Sequence, residues 1–181
     1  MNNARVIGLC GHSGSGKSVV ADYLVSQYGF VRIKLASPLK NMLRAIGLSE
    51  REIEGDLKET PCDLLCGKTP RHAMITLGTE WGRDMIGPNL WTNTWARKAS
   101  KLLEQGFHVV CDDVRFPNEV DAVRALGGAV IRIERLGLSA IAHVSEVQNF
   151  AVDWTIPNIG TIGELRRRVD EVLALASERA A

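Results

Sequence analysis

Apolar positions along this chain follow two periods in turn. A run of strand length, Val6 to Cys10 after Arg5, precedes Lys17 to Tyr28, where Val20, Leu24 and Tyr28 share one helical face and Gly29 marks the stop. Phe30 to Leu35 alternates as a second strand. Ser37-Pro38 reads as an N-cap and first-turn proline opening a helix to about Ile46, and Ser49-Glu50-Arg51-Glu52 as a capping box for a short helix. Residues 55–70, broken by Gly55, Pro61, Gly67 and Pro70, read as a mobile loop, and helices follow over Pro70–Asp84 and Pro88–Gln105. Phe107–Cys111 is predicted as a third strand, running into Asp112-Asp113. Pro117–Leu126 is a helix stopped by Gly127, Ala129–Ile133 a fourth strand and Val152–Ile156 a fifth, while residues 135–150 fit neither period. Thr161-Ile162-Gly163-Glu164 is a second capping box, and Leu165, Val169, Val172 and Leu173 give the last helix its apolar face.

Strands alternating with helices predict an α/β fold, a five-stranded parallel sheet with helices on both faces. No shift of composition marks a boundary, so residues 1–181 read as one domain, with 36–106 as a helical insert over one end of the sheet. Composition leaves that picture intact: 45% hydrophobic and 24% charged residues exclude a disordered, collagen-like or coiled-coil chain. Lys plus Arg is 22 and Asp plus Glu 21, a net charge of +1, so direct nucleic-acid binding through bulk charge is not expected. Arg outnumbers Lys, which favours a phosphorylated ligand. No stretch approaches the ~20 apolar residues of a membrane span. The run ending at Cys10 is too short for a signal-peptide core, and a cytoplasmic location is expected. Cys10, Cys62, Cys66 and Cys111 include no Cys-x-x-Cys pair, and Cys62, Cys66 and His72 lack a fourth metal ligand, so four reduced thiols are expected.

One motif carries the chemistry. Gly11-His12-Ser13-Gly14-Ser15-Gly16-Lys17-Ser18 fits G-x-x-x-x-G-K-[ST] in full, between a predicted strand and a predicted helix. Gly11, Gly14 and Gly16, with Ser13 and Ser15, let the backbone wrap a phosphate with its N–H groups inward, and the helix N-terminus faces the same anion. Lys17 is expected to neutralise the β- and γ-phosphates of ATP and Ser18 to coordinate Mg²⁺. A second carboxylate ligand is expected at the end of a neighbouring strand; Asp113 is chosen, with Asp112 as the reserve. Absences narrow the class. There is no Asn-Lys-x-Asp for guanine, Asp84-Met85-Ile86-Gly87 follows a helix rather than a strand, and no Glu follows Asp112-Asp113 to activate water. A small kinase remains, with its acceptor under the helical insert.

The whole chain from Val6 to Leu175 resembles the phage-type deoxynucleoside monophosphate kinases, a branch of the P-loop nucleotide kinases. The marks are Leu35-Ala36-Ser37-Pro38-Leu39-Lys40, Gly67-Lys68-Thr69-Pro70-Arg71, Leu77 to Asp84, Asp113 to Glu119 and His143-Val144-Ser145-Glu146, in that order. The resemblance implies ATP-dependent phosphorylation of deoxynucleoside 5′-monophosphates to diphosphates, on a parallel core with a helical monophosphate-binding region and a lid, here about 135–150. Relatives often carry Asp where this chain has Ser37, and relatives suggest a homodimer. With acceptor and donor so defined, Arg71 and Arg83 are candidates to clamp the monophosphate, Arg115 to bridge both phosphate groups, Glu80 to accept from base or sugar, and Lys40 to line the acceptor site. Arg132 is expected to alternate outward, and Arg135 to be the lid arginine that stabilises the transferring group, with His143 and Glu146 latching the lid. Asn158, in the turn after the last strand, is placed beside adenine, and Trp91 and Trp95 in a core. Two alternatives stand beside this reading: another small-molecule P-loop kinase, acting on dephospho-coenzyme A or a nucleoside, and a non-catalytic ATP-binding accessory protein.

Overall fold

The computed structural model describes residues 5–135 and 150–179. The short apolar runs form β1 (Val6–Cys10), β2 (Phe30–Arg32), β3 (His108–Cys111), β4 (Ala129–Glu134) and β5 (Trp154–Pro157). All pair in parallel, in the order β2-β3-β1-β4-β5. The longer runs form α1 (Lys17–Tyr28), α2 (Ser37–Ala45), α3 (Glu50–Ile53), α4 (Pro70–Thr76), α5 (Leu90–Glu104), α6 (Pro117–Ala125) and α7 (Ile162–Arg179). β1 lies at the centre with all five residues buried. Its alternation divides the core. Ile7 and Leu9 join Val110, Ile131, Ile133 and Ile156 against Val20 and Leu24 of α1 and Leu165 and Val169 of α7. Gly8 points the other way, where a Cβ would sit 3.1 Å from Val123 of α6. Helices therefore cover both faces. Each fully buried aliphatic side chain contributes about 1.5–3 kcal/mol against the entropy of ordering the chain.

The chain divides into two compact units. One comprises Met1–Lys34 with Trp95–Ala181 and holds the sheet; the other is Leu35–Thr94. The second has its own core, Leu43, Leu48 and Ile53 with Leu65, Ala73, Met74 and Leu77 packed on it. The capping box at Ser49 forms: the Ser49 backbone N–H donates to Glu52 Oε2 at 2.7 Å. The boundary between the units falls within α5, so Trp95 and Ala99, both buried, belong with the sheet.

Three elements depart from the sequence reading. β2 stops at Arg32, because the Ile33 carbonyl accepts from Trp95 Nε1 at 3.2 Å instead of a strand neighbour. Ser37 is not a cap. Ala36 is the N-cap, its carbonyl accepting the Lys40 N–H at 3.1 Å, and Ser37 is already helical. The helix from Pro70 leaves α geometry after Thr76 and runs as π-helical turns over Leu77–Ile86. Trp91 is the cause: its Nε1–H takes the Gly78 carbonyl at 2.7 Å, and its ring presses so closely on Gly82 that a Cβ there would lie 2.6 Å away. A side chain inserted into the helical ladder widens the turn. Trp91 and Trp95 are both buried. Most of the expected lid, with His143 and Glu146, lies outside the described residues. No helix among the described residues is long and apolar enough to cross a membrane.

Candidate functional site

The Gly/Ser-rich loop leaves the C-terminal end of β1 and enters α1. Its glycines are demanded by geometry at two places. Gly11 has φ +130°, and a Cβ there would collide with the Ile133 carbonyl oxygen. Gly16 has φ +107° and is the N-cap of α1, where a Cβ would lie 2.6 Å from Asn158 Nδ2. No side chain caps α1 and its first turn holds no acidic residue, so its leading N–H groups and dipole are directed at whatever the loop encloses. Lys17 Nζ donates to the carbonyls of Gly11 and His12, each at 2.7 Å, which keeps the ammonium at the loop. Ser15 Oγ is buried with no hydrogen-bond partner, whereas Ser13, Gly14 and Ser18 are exposed.

A cavity of about 400 Å³ opens beside the loop, lined by Gly11, His12, Arg132, Glu134, Arg135 and Ile159 among others. Arg132 and Arg135 therefore share one wall. Arg132 is more than an outward-facing strand residue: its Nη2 donates to the Phe150 carbonyl at 3.0 Å and its guanidinium lies 5.7 Å from the Phe150 ring centre. Arg135 is exposed. Burial raises the pKa of the Cys10 thiol at the end of β1, with the charges of Arg132 and Lys17 pulling against it. Asn158 follows β5, and its Nδ2 donates to the Ser15 carbonyl at 2.8 Å. It braces the phosphate loop, a contact that position in the sequence alone does not reveal.

The two aspartates after β3 face different surroundings. Asp112 is 5% exposed, paired with Arg32 and 3.9 Å from Lys34 Nζ. Asp113 is half-buried, and its Oδ1 accepts from Cys111 Sγ at 3.2 Å. Burial, with the Asp113 charge beside it, pushes the Cys111 thiol well up. The turn that follows is held by Glu119, 4% exposed, whose Oε2 accepts from the backbone N–H of Arg115 at 2.6 Å and of Phe116 at 3.1 Å. Glu119 thus aims the turn on which exposed Arg115 sits. An all-oxygen donor set, the Ser18 hydroxyl with the Asp112-Asp113 pair, suits a hard divalent cation, and the buried, unpartnered Asp112 Oδ1 is an oxygen in need of one.

Lys40, Arg71, Glu80 and Arg83 lie in the second unit. Lys40 Nζ donates to both carboxylate oxygens of Glu54, at 2.7 and 2.8 Å. Arg71 pairs with Glu59 on an exposed surface, and Arg83 Nη1 reaches the Pro88 carbonyl at 3.3 Å. Glu80 and Arg83 share the π-helical turn, with Glu80 exposed. The structure gathers the loop, the aspartates, Asn158, Arg132 and Arg135 in one unit and the acceptor candidates, Arg115 apart, in the other.

No family model matches the sequence. A protein of Acanthamoeba polyphaga mimivirus that carries the name of a deoxynucleotide monophosphate kinase is 34% identical over 189 residues, covering 96% of this chain and 98% of the relative. The deoxynucleotide monophosphate kinase of Enterobacteria phage T4 is 24% identical over 238 residues, covering 93% and 98%. Among solved structures, dephospho-CoA kinase from Campylobacter jejuni superposes with a TM-score of 0.51 at 13% identity, covering 96% of this chain and 98% of its own. The APS kinase of Mycobacterium tuberculosis gives 0.50 at 15% identity, covering 95% and 98%. These two likenesses establish the P-loop kinase fold.

Proposed function

We propose that this chain, which belongs to the deoxynucleotide monophosphate kinase family, transfers the γ-phosphoryl group of ATP to the 5′-phosphate of a deoxynucleoside monophosphate. An oxygen of the acceptor phosphate bonds to the γ-phosphorus as the bond to the β-bridging oxygen breaks, leaving ADP and a deoxynucleoside diphosphate. The observation that carries the reading is the loop itself. Glycines at positive φ, an uncapped helix N-terminus and a tethered Lys17 converge beside a cavity with two arginines on its wall.

Such a transfer is governed by positioning and by cations around spreading negative charge. The backbone of Gly11 to Ser18 cradles the donor phosphates and Lys17 neutralises them. Ser18 and Asp113, with Asp112 as the reserve, would hold Mg²⁺, which would screen the phosphate charge. Asn158 keeps the cradle in shape. Arg135, at the cavity wall, steadies the group in transit. Arg71 and Arg83 clamp the acceptor phosphate, Arg115 bridges donor and acceptor, and Glu80 and Lys40 line the acceptor site. In this reading residues 1–181 act as one kinase domain, its insert serving the acceptor.

A coupled assay of ADP release over a panel of deoxy- and ribonucleoside monophosphates tests it, with dephospho-coenzyme A and nucleosides alongside. Release dependent on a deoxynucleoside monophosphate is expected. Release driven by another acceptor, or by none, overturns the reading.

A further inference from the structure

Beside the loop lies an ion cluster of which the reaction scheme above uses only Asp112. Arg32 ends β2, and its guanidinium spans two carboxylates: Nη1 donates to Asp22 Oδ1 at 2.7 Å and Nη2 to Asp112 Oδ2. Lys34 brings a second cation to 3.9 Å from Asp112 Oδ2. The two contacts differ in kind. The Asp22 side chain is 71% exposed, so its pair is screened by water; that of Asp112 is 4% exposed, so its charge is desolvated and depends on its partner. Asp112 Oδ1 stays buried without a partner. Asp22 lies four residues beyond Ser18, on the same face of α1, so the guanidinium ties Asp112 to the Ser18 side of that helix. Burial weakens the case for charge on Arg32, but the hydrogen bond to Asp112 and the carboxylates of Asp112, Asp22 and Asp113 outweigh it, and its pKa is raised. The cation is permanent.

We propose that Arg32 is a positioning residue and resident counter-ion: it holds the buried Asp112 carboxylate in place and competes with the divalent cation for that carboxylate. The inference rests on the kinase reading and deepens it, since it assigns the buried aspartate of the pair to the metal and makes the metal requirement of this chain a property of β2. A carboxylate already bridged by a guanidinium gives up part of its charge to that partner, so the metal binds less tightly than to a bare aspartate. Removing the guanidinium tightens the metal.

The probe is Mn²⁺ in the presence of ADP, titrated by electron paramagnetic resonance, with ADP affinity measured separately by calorimetry without metal. Arg32→Gln is expected to tighten Mn²⁺ about tenfold, the scale of one charge-assisted hydrogen bond, and to leave metal-free ADP binding unchanged. Arg32→Lys, which keeps the charge, stays near the parent. The double change Arg32→Gln with Asp112→Asn loses the gain. Lys34→Ala, at a partly exposed position, tightens Mn²⁺ two- to threefold and covers the case in which Arg32→Gln does not fold. Unchanged or weaker Mn²⁺ binding in a folded Arg32→Gln protein overturns the inference, as does a gain that survives the Asp112 change; for Lys34→Ala the same holds. Failure of the parent protein to bind ADP at all overturns the kinase reading instead. A mere loss of packing would lower the melting temperature without moving the metal constant upward.

Discussion

Lys17 rests on two neutral carbonyls of its own loop, those of Gly11 and His12. A triphosphate offers the same ammonium charged oxygens, and the exchange brings the cation to where charge develops. Lys17→Ala is therefore expected to cut turnover by at least ~10²-fold, with the circular dichroism and melting temperature little changed, because the glycine backbone keeps its shape. Near-normal turnover would sink the role given to the loop. Asn158 acts on the same loop from outside. Its amide holds the Ser15 carbonyl at 2.8 Å, a contact worth about 1 kcal/mol. Asn158→Ala should raise the KM for ATP about fivefold and leave the KM for the monophosphate alone. If the change shifts the preference between ATP and GTP instead, Asn158 reads the base, as its position after the last strand suggests. The loop was legible in eight consecutive letters because its chemistry is local. The Asn158 contact was not, because it joins residues 143 apart and exists only once β5 has returned alongside the loop.

At the scale of elements, α1 and α7 are fastened by a shared acid. Tyr23 and Tyr28 both donate to Asp170, Tyr28 at 2.7 Å. The Asp170 hydrogen bond first, then burial and the Asp170 charge, push the Tyr28 phenol up to about 12. The folded protein thus keeps a proton that the unfolded chain loses near pH 10, so this stabilisation is full below pH 10 and fades as pH rises to about 12. A two-unit shift at a buried site would be about 2.7 kcal/mol; solvent at this half-exposed site leaves about 1 kcal/mol. The melting-temperature advantage of the parent over Tyr28→Phe should shrink between pH 9 and 11.5, and an advantage constant with pH would refute the linkage. Helices such as α1 and α7 were readable because capping and apolar period agreed. The π-helical turns over Leu77–Ile86 were not, because their cause is an indole from a later helix. β2 was overextended for a related reason: Trp95 captures the Ile33 carbonyl that would have continued the ladder.

On the scale of the whole molecule, the residues given roles above fall in two compact units. The phosphate loop, both aspartates and Arg32 belong to the unit that holds the sheet, and Arg71 and Arg83 to Leu35–Thr94. The Arg32–Asp112 pair was invisible in the sequence because it needs β2 to lie beside β3, an order that periodicity does not supply. The division between units, however, makes the proposed acceptor role testable by kinetics. Arg71 is half-exposed and pairs with Glu59, and exposed pairs of this kind are worth only about 0–1 kcal/mol, so under the proposed role a phosphate dianion would displace Glu59 from the guanidinium at little cost. Arg83 Nη1 donates to the Pro88 carbonyl at 3.3 Å, in the turn after the π-helix. Replacing either arginine by Lys keeps the charge and removes the planar fork. The KM for the monophosphate should then rise ten- to a hundredfold, roughly 1–3 kcal/mol, while that for ATP stays within about twofold. Initial rates with each substrate varied in turn decide it. A rise in the ATP constant instead would assign these arginines to the donor and move the search for the acceptor site to Lys40 and Arg115.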